Sequence, residues 1–248
     1  MNQSVLTVKN LSKSFGGLLA VDSVSLAVSK GERHVIIGPN GAGKTSLFHC
    51  LSGVHPITSG AVLLEDKEIQ RLSEGARARL GIGRTFQISN VFSQLTVLEN
   101  VLLAFLGWTN KKWIPWKSAA AVDGALIRCT QQISAIGLSE KVGETVSSLS
   151  YGEKRQLELG LALVNDPKLL LLDEPCAGLA PSERRMFFNL VKNLPRDITV
   201  VMIEHDMDVA LALADNVTVL HRGKLVAQGS PDEIREDLTV RDVYFGNV

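Results

Sequence analysis

The chain has 248 residues, 45% of them hydrophobic, 5% aromatic and 21% charged, with 26 basic residues against 26 acidic ones. That length suits one large domain or one domain with a sub-lobe, and the apolar content is ample for a core. The charge balance removes the electrostatic case for non-specific nucleic-acid binding, and no apolar run approaches the ~20 residues of a membrane helix. Met1 to Asn10 lacks the charged and apolar regions of a signal peptide, so the expectation is a soluble, cytoplasmic protein. Cys50, Cys129 and Cys176 are far apart, fit neither metal spacing nor a disulfide framework, and read as small apolar or neutral residues.

In chain order, Leu6-Thr7-Val8 and Val24 to Val28 alternate as strands do, with the turn signal Phe15-Gly16-Gly17 between them. Phe15 suits a core or turn position as well as it suits stacking on a nucleotide base. A second turn, Lys30-Gly31-Glu32, leads into the apolar run His34 to Ile37. Directly after it stands Gly38-Pro39-Asn40-Gly41-Ala42-Gly43-Lys44-Thr45, which fits the phosphate-binding pattern G-x-x-x-x-G-K-[ST] in full. A helix from Thr45 to Leu51, stopping at Gly53, completes the strand–loop–helix context of that motif. Its glycines let backbone N–H groups approach phosphate oxygens, and the helix N-terminus adds a positive dipole end. Lys44 then reaches the β- and γ-phosphates, and the Thr45 hydroxyl holds Mg²⁺.

Ala61 to Leu64 and a return at Ile69 read as a short edge hairpin, and Arg71 to Leu80 is helix-compatible. A strand-like run from Gly81 ends in Phe86-Gln87; a glutamine there can orient water or ligate Mg²⁺, or can be a surface amide. Val97, Leu98, Val101, Leu102 and Phe105 recur at helical spacing behind Thr96, a candidate cap, and a second helical stretch runs from Ala119 to Ile136. Between them, Gly107 to Lys117 holds all three tryptophans, three lysines and a helix-breaking proline. That mixture suits a membrane interface or a protein partner, and equally a loop folded back on its own helices.

Ser147 to Glu153 leads into a helix read as Glu153 to Val164; its start is a candidate anion site or an ordinary capped helix. Leu169 to Leu172 is apolar without alternation, as in a strand buried on both faces of a parallel sheet. Asp173 and Glu174 follow at its carboxyl end, where open α/β sheets bind ligands, so that Asp173 can face Mg²⁺ and Glu174 a water. Ile198 to Ile203 is another apolar strand, ending in Glu204-His205-Asp206, with His205 able to hydrogen-bond a γ-phosphate. A helix from Met207 to Ala214, a hairpin about His221 to Lys224 and a short helix opened by Pro231 close the chain.

Taken together, these motifs resemble the ATP-binding cassette (ABC) family over essentially the whole length. Gly38 to Thr45 matches its Walker A loop, Leu169 to Glu174 its Walker B strand, and Leu149-Ser150-Tyr151-Gly152-Glu153 its signature motif. The resemblance implies an α/β fold: a P-loop NTPase core with a mixed, mainly parallel sheet, an N-terminal antiparallel β-subdomain and an α-helical subdomain inserted at about 88–160, all in one domain of residues 1–248. It implies ATP and Mg²⁺ as cofactors. Phe15, Gly38, Pro39, Asn40, Gly41, Ala42, Gly43, Lys44, Thr45 and Ser46 would bind the nucleotide, with Ser150 and Gly152 contacting that of a second copy. Thr45, Gln87 and Asp173 would hold the metal; Glu174, His205 and Gln87 would act in catalysis.

Two departures stand out: Tyr151 and Glu153 replace the third and fifth residues of the usual Leu-Ser-Gly-Gly-Gln, and Ala180 replaces the aspartate that usually ends the loop after Walker B. Arg84 to Gln87, Thr96 to Asn100, Tyr151-Gly152, Ala177 to Leu179 and Ile203 to Met207 look like the subfamily serving branched-chain amino acid, amide and urea importers. The implied partners are a second ATPase subunit, membrane-spanning permease subunits and an extracytoplasmic solute-binding protein, with this chain at the cytoplasmic face of the membrane.

Overall fold

The structure, a computed structural model, describes residues 3–85, 91–108 and 119–245. Phe86, Gln87 and the 109–117 part of the tryptophan–lysine stretch lie outside them. In order, the elements are β1 (Ser4–Phe15), β2 (Leu18–Ser29), β3 (Arg33–Ile37), α1 (Lys44–Ser52), β4 (Ser59–Leu64), β5 (Lys67–Glu68), α2 (Glu74–Arg79), β6 (Ile82–Arg84), α3 (Val97–Trp108), α4 (Ala119–Ala135), α5 (Tyr151–Leu163), β7 (Leu169–Asp173), α6 (Pro181–Lys192), β8 (Thr199–Ile203), α7 (Met207–Leu213), β9 (Asn216–His221), β10 (Lys224–Gly229), α8 (Pro231–Glu236) and α9 (Leu238–Phe245).

Two compact units divide the chain: Met1–Ile82 with Lys168–Pro175 and Leu194–Val248, and Gly83–Pro167 with Cys176–Asn193. In the first unit, β2-β1-β4-β5 form an antiparallel sheet. The two-residue turn from β4 to β5 places Glu65 and Asp66 both at positive φ, 46° and 65°, the twist that suits a tight hairpin. The return strand is Lys67–Glu68; Ile69, expected in it, instead turns inward, fully buried, with its N–H on the Val62 carbonyl at 2.8 Å.

The other sheet runs β10-β9-β3-β8-β7-β6. β3 is parallel to β8 and β9, and β7 to β8, while β10 closes an antiparallel hairpin on β9. Every residue of β3, β7 and β8 is buried, the condition under which strands lose their apolar–polar alternation. One core joins Leu6 and Val28 of the antiparallel sheet with Ile36, Leu171 and Val201 of this one and with Leu47 and Phe48 of α1.

The second unit has its own apolar core, with Val97, Val101, Ile133, Leu138, Leu149 and Leu157 at its centre. Thr96 caps α3 as expected: its Oγ1 accepts the Glu99 N–H at 3.2 Å and its own N–H reaches Glu99 Oε2 at 2.7 Å. This unit also takes in α6, which packs on α5.

Candidate functional site

Strand register assembles the candidate site at one edge of the parallel sheet. Ile36 of β3 and Asp173 of β7 both pair with Ile203 of β8, so three strands end level. The glycine loop after β3, Glu174 after β7 and His205 after β8 therefore leave the sheet at the same carboxyl edge, where ligands bind in open α/β folds.

The loop itself is shaped by its neighbours. Gly38 has φ 151° and Gly43 φ 98°; a Cβ on the first would stand 2.2 Å from the Leu220 carbonyl oxygen and on the second 2.3 Å from that of Ala20. Only glycine fits either place. At Gly41, φ 79°, a Cβ would meet nothing within 4 Å, so the loop is open on that side. Behind it, Gly223 donates its N–H to the Ala42 carbonyl at 2.9 Å and accepts that of Asp22 at 2.8 Å. Gly223 and Ala20 thus brace the loop; the turn His221 to Lys224 was legible as a turn, but its bracing depends on contacts distant in sequence.

Helix α1 begins at Lys44, and Thr45 and Ser46 are half-buried in its first turn. Lys44 is buried, and its Nζ donates to the carbonyls of Gly38 and Pro39 at 2.6 and 3.1 Å. Burial draws its pKa below the ordinary lysine value, while the Glu174 and Asp173 carboxylates draw it back up. The three groups share one electrostatic neighbourhood.

Asp173 is 2% exposed at the end of β7. Glu174, next to it, takes the left-handed conformation, φ 42°, with its N–H on the Ile203 carbonyl at 3.0 Å. A non-glycine residue held there is strained, and such strain concentrates at functional sites. The turn directs Glu174 Oε2 to 3.7 Å from His205 Nδ1, both side chains partly exposed at 29% and 53%. At that distance acid and imidazole are direct neighbours, and one water or phosphate oxygen can meet both only from the same side. Glu204, which sequence reasoning passed over, is fully buried beside His205 and ties its N–H to the Ile36 carbonyl at 3.2 Å.

Phe15 stands at the end of β1 and is 42% exposed, which rules out the core position. Lys13 Nζ lies 4.6 Å from its ring centre and His55 meets its ring edge-on at 5.3 Å, fixing its attitude. In the second unit, Ser150 is the N-cap of α5, which starts two residues earlier than expected. Its Oγ accepts the Glu153 N–H at 3.2 Å, and Glu153 Oε2 accepts the Ser150 N–H at 2.7 Å. Glu153, a departure from the usual signature, thus completes a capping box. Gly152 is buried in the same turn.

A glycine loop on a helix N-terminus, a lysine within it and an acid at the end of β7, one strand beyond β3's neighbour β8 in the same parallel set, define a P-loop nucleotide-binding protein. Residues 21–177 match the family described as ABC transporter. The chain is 37% identical to the high-affinity branched-chain amino acid transport ATP-binding protein LivG of Escherichia coli K12, over 99% of each chain. It is 36% identical to BraF of Pseudomonas aeruginosa, whose name describes the same role, again over 99% of each. The ADP conformation of MJ1267, an ATP-binding cassette of an ABC transporter, superposes with a TM-score of 0.86 at 32% identity, covering 98% of this chain and 99% of that one. The protein belongs to the ABC transporter family and is one of its ATP-hydrolysing subunits. Among the described residues, no helix is long and apolar enough to cross a membrane.

Proposed function

We propose that this chain is the ATPase subunit of an importer of branched-chain amino acids, working as a pair of cassettes beneath membrane-spanning permease subunits that a solute-binding protein supplies from outside. The observation that carries the ATPase part is the level ending of β3, β7 and β8, with Gly38, Glu174 and His205 on one edge. The solute is taken from the names of LivG and BraF. In this reading the 248 residues are a single cassette at the cytoplasmic face of the membrane, with its helical insertion turned to the permease.

Backbone N–H groups from Gly38 to Thr45 and the Lys44 ammonium bind the phosphates, with Pro39, Asn40, Ala42 and Ser46 completing the loop and Phe15 under the base. Lys44 moves from the Gly38 and Pro39 carbonyls to phosphate oxygens, an exchange of two neutral acceptors for charged ones. The hard oxygen donors of Thr45 and Asp173 fit Mg²⁺, with Gln87 as a further candidate ligand. When bound, Mg²⁺ neutralises charge on the phosphates. Glu174 takes a proton from the attacking water and His205 holds the γ-phosphate. Ser150 of a second copy, with Gly152 in the same helix turn, closes over that phosphate, so ATP draws two chains together and hydrolysis releases them.

The experiment is uptake in vesicles carrying this chain, its co-purified permease and a solute-binding protein. Leucine-stimulated ATP hydrolysis that disappears with Lys44→Ala is the expected result. Stimulation by urea or a short amide with none by leucine would move the assignment to another solute; no ATP-driven uptake of any would remove the transport role.

A further inference from the structure

Glu183 lies outside the motifs that build the site, yet its carboxylate joins two of them. Oε1 accepts the Gly152 N–H at 3.2 Å in the first turn of α5, and Oε2 accepts the Ala180 N–H at 3.0 Å in the loop that leads into α6. A Cβ on residue 152 would stand 2.5 Å from Oε1, so glycine is what lets the carboxylate approach.

A second link is independent of the first. The Tyr151 hydroxyl donates to the Ala177 carbonyl at 3.3 Å, and its ring lies against Gly178, where a Cβ would be 3.3 Å from the ring. Arg155 donates to the same hydroxyl from Nε and Nη2 at 3.2 and 2.7 Å, and is itself paired with Glu158 at 2.8 Å. Tyr151 and Ala180 are both departures from the family pattern, and they meet in this one cluster. Where the pattern has an aspartate, Ala180 offers only its backbone N–H, which Glu183 takes up.

We propose that Glu183 and Tyr151 are positioning residues that clasp the 177–180 loop to the first turn of α5, so that Ser150 and the loop meet a second cassette as one surface. This rests on the two-cassette reading above. Gly152 N–H is committed to Glu183, whereas the Ser150 hydroxyl accepts from Glu153 and keeps its own proton for a phosphate oxygen. Holding the turn in place aims that proton.

The test uses the full chain carrying Glu174→Gln, with ATP-driven dimerisation followed by light scattering. Adding Glu183→Ala or Tyr151→Phe should raise the ATP concentration needed by about tenfold, the effect of losing one charge-assisted hydrogen bond, from the Glu183 carboxylate or from Arg155 to the Tyr151 hydroxyl. Glu183→Gln should cost less, because an amide oxygen still accepts one of the two N–H groups. With Glu174 intact, the same changes should lower kcat while the affinity of the dilute single chain for ATP stays unchanged, a split that general loss of structure does not produce. Glu183→Gln and Tyr151→Phe keep the side-chain size and decide the matter should Glu183→Ala fold poorly. Unchanged dimerisation in all three overturns the clasp and leaves the two-cassette reading standing. Tighter dimerisation also overturns it, since the carboxylate would then only compete with phosphate for Gly152. Failure of Glu174→Gln alone to dimerise overturns both.

Discussion

Lys44, Gly43 and Glu174 each answer to a different local force, and each can be tested separately. Lys44→Ala removes the one ammonium in the glycine loop; at ~1.5–3 kcal/mol for each charged hydrogen bond to phosphate, ATP affinity should fall by two orders of magnitude or more, read by equilibrium titration. Gly43→Ala sets a Cβ at 2.3 Å from the Ala20 carbonyl in a left-handed conformation. The loop or β2 must shift, so a loss of about 2 kcal/mol or more in stability should accompany the loss of binding, measured by denaturant unfolding. Glu174→Gln keeps the shape and removes the proposed base; hydrolysis should slow by about 10²–10⁴-fold with ATP binding retained. Normal turnover in that variant would exclude Glu174 as the base.

Helix ends and strand ends carry the next set of effects. Ala180 begins α6 with no side chain able to cap it, and only the Glu183 half of the capping pair is present. Ala180→Asp supplies an acceptor for the N-terminal N–H groups and should stabilise the fold by about 1 kcal/mol, visible as a higher Tm. At the start of β3, burial pushes the Glu32 carboxyl up, but the His34 hydrogen bond at 2.8 Å and the Ser29 N–H outweigh it and leave its pKa below the ordinary value. A carboxyl lowered by folding adds stability above its unfolded pKa and loses it as pH falls through the folded one. Glu32→Gln should therefore lower Tm at neutral pH and flatten the decline of Tm into acid. Tm measured from pH 7 to 3 checks both signs.

For the whole molecule, nucleotide binding and stability are linked. Mg-ATP at a hundred times its Kd should add about 2.7 kcal/mol to unfolding, or roughly 5–10 °C in Tm for a chain this size. The shift should vanish in Lys44→Ala.

Much of this protein was legible without coordinates, because the signals were local. Gly38 to Thr45 carries its own geometry, Leu169 to Leu172 shows burial on both faces by its lack of alternation, and Thr96 announces a helix start by the chemistry of its hydroxyl. Phe15 could not be read that way: the attitude of its ring is set by Lys13 and by His55, a residue 40 positions on. Nor could α9, the start of α5 at Tyr151, or the bracing of the loop by Ala20 and Gly223. The sequence by itself determined the phosphate-binding motif and so the candidate nucleotide contacts, since phosphate chemistry needs a few residue types at fixed spacing. Only the tertiary structure decided that β3, β7 and β8 end level, that Glu174 is turned towards His205, and that Glu183 reaches back to Gly152. Those are distances between parts of the chain far apart in sequence, and strand register and packing set them.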